Sequence, residues 1–254
     1  MPKMEPYQNS LEHLFEELRR IDLLVYCQVL RLRMKIREPQ NEFAGLYITE
    51  ADIDTILTAA PAFENQPQRE DPQIRSLQKR LAVLDKMISQ RKALSLSEGV
   101  ELRLMRLQER FRLSSFEKDA LLIALIAELD LRYERLFAYL QDDVTKKRPS
   151  VDLALNLLFP SLEARLAARR DLDHEQPLLR YHLLALLDDP AHPNPSLLSK
   201  YLKADERIVN YLLGSRKIDP RLTPHTRIIS PRIGIEDLVL PSSIKESLNH
   251  LIDE

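Results

Sequence analysis

At 254 residues, the chain can bury one large core or two ordinary ones. With 44% hydrophobic and 30% charged residues it has the composition of a folded soluble protein, which excludes a disordered chain. A formal net charge of −2 excludes a global positive field that would draw the chain onto nucleic acid, although a local basic patch is still allowed.

Four glycines set against abundant Leu, Glu and Arg favour helix, and the sixteen prolines fall mainly between periodic segments. Leu11, Leu14, Leu18, Ile21, Val25 and Leu32 recur at helical spacing and predict a first helix from about Ser10 to Ile36, capped by Asn9 or Ser10. Thr49 and Asp52 have capping-box spacing, with Ile48 and Ile53 as a staple, and predict a short helix ending before Pro61. Residues 64–73 read as a polar loop. Asp71-Pro72 opens the next helix, whose Ile74, Leu77, Leu81, Leu84 and Ile88 alternate three and four apart. That seam packs either on the first helix, as a hairpin, or on a second copy of the chain.

A helix near Val100–Phe111 leads to Ser114 and Glu117, again at capping-box spacing. The following helix, Phe116–Leu129, is apolar on most sides and is expected to be central and buried. Helices are predicted at 131–141, at 151–159 capped by Ser150, and at 161–170. Leu178–Leu186 fits helix or strand by pattern alone. Its counterpart is 196–202, and three prolines between residues 188 and 195 break any continuous helix between them. Three helices followed by two short apolar segments around a Pro-rich tip suggest a winged-helix unit with its β-wing. A helix over 205–213, stopped at Gly214, closes it. Beyond Leu222 the pattern loosens into a linker, and a last helix is expected from Ser242 or Ser243 through Ile252. The fold class is therefore mainly α, with an N-terminal helical hairpin or bundle over 1–112, a winged-helix-like domain with a small β-wing over 113–222, and a linker over 223–254.

Motifs for chemistry are missing from the sequence. Gly45, Gly99, Gly214 and Gly234 are isolated, so neither GxxxxGK[ST] nor GxGxxG is present to cradle phosphate. His13, His174, His182, His192, His225 and His250 are scattered, and Cys27 stands alone, which gives no zinc spacing and no intrachain disulfide; a reducing cytosol is the natural setting. The pairs Asp142-Asp143 and Asp188-Asp189 read as solvated loop carboxylates, and there is no Gly-x-Ser-x-Gly elbow. No catalytic, cofactor-binding or metal-binding residue is assigned. The N-terminus lacks an apolar signal region, and Ala120–Ala127 is too short to span a bilayer, so no membrane association is expected.

Lys146, Lys147 and Arg148 are the candidate contact to nucleic acid or a partner. They precede the third helix, the one a winged-helix protein can insert into the major groove. That helix, however, carries Asp152 and little Arg, Lys or Gln to read base edges, so a protein contact is favoured over DNA. Tyr133, Phe137 and Tyr139 read as core, and Arg106, Arg110 and Arg112 as a solvated face offset by Glu109.

Several strings are familiar together: Leu129-Asp130-Leu131-Arg132-Tyr133, Tyr139-Leu140-Gln141-Asp142-Asp143 and Arg148-Pro149-Ser150-Val151. They resemble the N-terminal winged-helix region of a group of prokaryotic AAA+ ATPases, some encoded alongside phage-tail-like contractile injection systems. Tyr211-Leu212-Leu213-Gly214 with Ile218-Asp219-Pro220-Arg221-Leu222 is similar to the end of that region, and Asp237-Leu238-Val239-Leu240-Pro241 resembles the entry to an AAA+ module. The resemblance covers about 104–254. It implies a cytoplasmic, non-catalytic recognition or regulatory domain that engages a protein client or component. The ATPase module, with its ATP, magnesium and possible hexamer, is then expected C-terminal to residue 254. The alternative is a winged-helix DNA-binding regulator.

Overall fold

The computed structural model describes residues 5–35, 71–189 and 194–215, with a few positions between 237 and 248. The helix expected over 49–60 and the linker after Leu222 lie outside the described residues, as does the tip of the wing. Of the last expected helix, residues 243–246 and 248 are helical. Residues 1–216 form one compact unit and 217–254 a second.

The first unit opens with α1, Ser10–Lys35. Asn9 caps it, its Oδ1 accepting from the amides of Leu11 and Glu12 at 3.0 Å each. α2, Pro72–Ser97, begins as Asp71-Pro72 predicts: the Asp71 carboxylate accepts from the Gln73 amide, and Pro72 takes a first-turn position where its missing N–H costs nothing. Leu77, Leu84 and Ile88 of α2 close on Leu23 and Cys27 of α1 in a small separate cluster. The seam is thus satisfied within the chain, as a hairpin.

α3, Arg103–Phe111, ends at Arg112 in the left-handed region, and the capping box of Ser114 and Glu117 then starts α4, Ser115–Leu129. Every residue from Ala120 to Ile126 is buried, which is what a helix apolar all round requires. Each large apolar side chain in that run contributes roughly 2 kcal/mol by leaving water. α4 is the hub of the main core and packs on α1, α5 (Arg132–Leu140), α6 (Val151–Leu158) and strand β2 (Tyr201–Ala204). Leu14, Leu18, Ile21 and Val25 of α1 belong to this same core.

After α6 come α7, Leu162–Ala168, a 3-10 turn over Arg169–Leu172, and one helical turn, α8, Pro177–Arg180. The ambiguous stretch 178–186 splits: its first residues finish α8, and β1 is Leu184–Leu187. β1 pairs antiparallel with β2, Leu184 opposite Ala204 and Leu187 opposite Tyr201. Ser150 adds a bridge to Tyr201 on the other edge of β2, with Leu202 N donating to the Pro149 carbonyl at 2.8 Å. α9, Glu206–Leu212, is capped by Asp205 and stopped at Gly214, whose φ of +95° suits glycine; a Cβ there would also meet the Arg103 guanidinium at 2.9 Å.

Candidate functional site

Two side chains, Gln141 and Asp143, order the basic loop, Asp143 by accepting from the Thr145 amide and hydroxyl. Gln141, at the end of α5, donates its amide to the carbonyls of Lys146 and Arg148 at 3.0 and 2.9 Å, and its Oε1 accepts from Ser150 N at 3.1 Å. The Gln141 amide therefore fixes the loop's backbone, while Ser150 caps α6 by accepting from the Leu153 amide. The charges are partly spent inside the chain: Lys146 lies 3.6 Å from Asp143, and Lys147 4.0 Å from Glu134. Arg148 is exposed.

Most of α6 faces the main core. Val151, Leu153, Ala154, Leu155 and Leu157 are buried in the main core, and Asp152 is the residue that faces solvent at its start. Its Asn156 is engaged by Asp152 and by Arg165 of α7. The outward side of the third helix therefore carries Asp152 and the partly buried Asn156 and Leu158, a side with little to read base edges. α7 follows α6 by a three-residue turn and exposes Glu163, Leu166 and Ala167, then Arg169 and Arg170 in the 3-10 turn.

One polar cluster holds α1 to α4, and a second holds α2 to α1 and the segment before it. In the first, Glu17 of α1 is 2% exposed and accepts from Lys118 Nζ at 3.0 and 3.1 Å and from Arg20 Nε at 3.0 Å. Arg20 in turn forks onto both oxygens of Asp119, and lies 3.7 Å from Asp85 of α2. Burial would raise the Glu17 carboxyl, but the Lys118 and Arg20 charges and their hydrogen bonds outweigh it and leave it below the usual carboxylate value. His13, one turn earlier, is 1% exposed, and neither ring nitrogen has a hydrogen-bond partner among the described residues. Burial pushes its pKa down to about 4, so it is neutral at pH 7. In the second cluster, Arg91 of α2 spreads over the Tyr7 ring at 4.1 Å, donates to Glu16 and Glu12, and takes the Glu5 carbonyl at 3.0 Å. Tyr133 of α5 reaches α1 as well, its hydroxyl donating to Asp22 at 2.6 Å. Neither cluster is visible in the linear sequence, because the helices it joins place its paired residues 65–101 positions apart and they form no linear motif. The periodic carboxylates Glu12, Glu16 and Glu17 on the inner side of α1 were the only sign of them.

Cys27 is buried in the hairpin cluster, and burial raises its thiol above the ordinary value, the opposite of an activated nucleophile. Tyr133 and Phe137 are core, as their spacing predicts, while Tyr139 is half-buried. No group of three His, Cys, Asp or Glu among the described residues could hold a metal ion, and none of their helices is long and apolar enough to cross a membrane.

The arginine face of α3 is exposed, as expected, and it also borders a groove. Arg106 and Arg110, with Leu107 and Phe111, form one wall of a surface groove of about 550 Å³, and Arg207, Ile208 and Tyr211 of α9 form the other. Arg103, a turn before, fixes the two helices by donating to the Tyr211 carbonyl at 3.0 Å. The acid that offsets Arg106 is Glu101, ahead of the helix, rather than Glu109.

Helices, a two-stranded wing and a bridge from the residue before α6 form one packed unit, and a family profile described as a winged helix domain, variant, matches residues 1–226. The chain is a member of that winged-helix family. Neither a curated protein nor a solved structure matches it. In this winged-helix protein the hairpin α1–α2 lies inside the matched span, and the segment between α6 and the wing is divided into α7, a 3-10 turn and α8.

Proposed function

We propose that this winged-helix chain is the non-catalytic recognition or regulatory part of a prokaryotic AAA+ ATPase, and that it engages a protein client or component for ATP-driven remodelling. The resemblance of residues 104–254 to the regions that precede AAA+ modules supports the AAA+ half of this reading. The α3–α9 groove carries the recognition half: its floor of Leu107, Phe111, Ile208 and Tyr211 is apolar surface that a protein partner can bury and a phosphate backbone cannot use. ATP, magnesium and hexamer formation belong, in this reading, to an ATPase module C-terminal to residue 254, in the cytoplasm. Residues 1–112 and 113–222 act as two functional parts that share a packed core, and 223–254 leads toward the motor. Lys146, Lys147 and Arg148 form a secondary contact on the partner.

The rival is a DNA-binding regulator that works through those three cations. Two measurements on the 254-residue chain separate the readings: recovery of partners from the source cell, and titration with duplex DNA at physiological salt. The proposal expects a protein partner that survives replacement of Lys146, Lys147 and Arg148 by Ala, with thermal stability moved by less than about 0.5 kcal/mol. A chain that recovers no partner but shifts DNA, with the triple replacement abolishing the shift and flattening its salt dependence, overturns it.

A further inference from the structure

Resting on the reading of the α3–α9 groove as a partner surface, we infer that its occupant is an amphipathic helical segment of a partner protein, with an apolar stripe flanked by Asp or Glu. The seven residues that line the groove are three arginines and four apolar or aromatic side chains, with no carboxylate among them. That is an unbalanced lining in a chain whose net charge is −2. The cations are at the rim: Arg106, Arg110 and Arg207 are exposed, whereas Leu107 is buried and Phe111, Ile208 and Tyr211 are half-buried between them.

The walls have helical periodicity. Leu107 and Phe111 are four apart on α3, and Ile208 and Tyr211 three apart on α9, so the floor is a double row of the kind into which an apolar helix stripe packs. The groove's volume of about 550 Å³ takes a few large side chains of one helix face. Tyr181, 47% exposed and 5.1 Å from Phe111 ring to ring, extends the aromatic surface past one end of the lining. Glu101 and Asp205 pair with Arg106 and Arg207 from outside the groove. Such exposed pairs are worth little, so a partner carboxylate that also buries apolar area can share or displace them. A nucleic acid could use the arginines but would leave the apolar floor wet, so a protein segment is the better match.

The probe is a displayed library of random helix-forming segments of about 16 residues, selected on the folded 254-residue chain. The expected outcome is enrichment of Leu, Ile or Phe at i, i+3/i+4 and i+7 with Asp or Glu beside them. Binding of a selected peptide should weaken at least about tenfold with Arg110→Glu or Arg207→Glu, and fall with added salt. Arg110→Gln and Arg207→Gln, with smaller losses, serve if a charge reversal impairs folding, which circular dichroism reports. Selected peptides that are neutral or basic, yet lose binding with Ile208→Ser, overturn the acidic-helix inference and leave the partner-surface reading standing. Peptides indifferent to Arg110, Arg207 and Ile208, or duplex DNA that competes for the same arginines, overturn both.

Discussion

Two faces of α1 are held by different physics. Toward the winged-helix core, Leu14, Leu18, Ile21 and Val25 join α4, α6 and the wing in one continuous apolar cluster. Toward α2, the apolar contact is a satellite of Leu23, Cys27, Leu77, Leu84 and Ile88, and much of the attachment is charged: Arg91 on Glu12 and Glu16, and Arg20 beside Asp85. Apolar packing tolerates pH and salt and responds to volume. A charged seam tolerates volume change and responds to protonation. The charged contacts, on α2 and around Glu17, should therefore weaken in acid before the apolar packing does.

The largest expected effect comes from the core side. Leu121→Ala, at a position with no exposure in the middle of α4, should cost about 4 kcal/mol, whereas Leu84→Ala in the satellite should cost about half as much because its surroundings can collapse. Equal losses in urea unfolding would show that the satellite is as rigid as the core.

The next effect belongs to the ionic cluster between α1 and α4. Glu17→Gln removes the acceptor shared by Lys118 and Arg20 and should destabilise by about 3 kcal/mol, since it leaves buried charge underpaired. The pH dependence follows from its neighbours. His13 binds a proton near 6.5 when unfolded and only near 4 when folded, so the unfolded chain holds more protons in that window and stability falls as pH drops through it. The Glu17 carboxylate, held below its ordinary value, adds a further loss at lower pH. Unfolding midpoints at about pH 7.5 and 5 should differ in the natural chain and converge in His13→Phe, which keeps the ring packed on Tyr7 without a titrating group. A His13→Phe chain with the same acid slope would place the sensitivity elsewhere.

The smallest effect tests the joint between the regions. Ser114 caps α4 and also donates to Asp171 at 2.7 Å, and its box partner Glu117 accepts from Leu178 N at 2.9 Å. Ser114→Ala should cost about 1 kcal/mol, read as a lowered melting temperature, with the hairpin's acid response unchanged.

Most of the elements were legible because their signals are local. Asn9, Asp71, Ser114, Ser150 and Asp205 each cap a helix that the apolar spacing already marks, and Gly214 stops α9 where a left-handed residue is needed. The all-round apolar character of α4 announced its central place before any contact was known. The candidate site was legible only in part. Arg106 and Arg110 could be seen as a basic face from their spacing, but not as a groove wall, because the opposite wall on α9 is about a hundred residues away.

The sequence alone thus marked most of the described helices, several of their caps, the Pro-rich break before the second wing strand and the lack of any phosphate, zinc or nucleophile motif, because each is a matter of neighbours within a few residues. Only the tertiary structure decided that 178–186 splits between a helical turn and a strand, since that choice depends on β2 being present to pair with Leu184–Leu187. It also decided that most of α6 is spent on the core, and that Arg20, Lys118 and Asp119 gather, partly buried, around the buried Glu17 in one ionic cluster. Charges that look like ordinary surface residues in one dimension become interior partners when α1 crosses α4, because removing them from water is tolerable only where each finds its opposite.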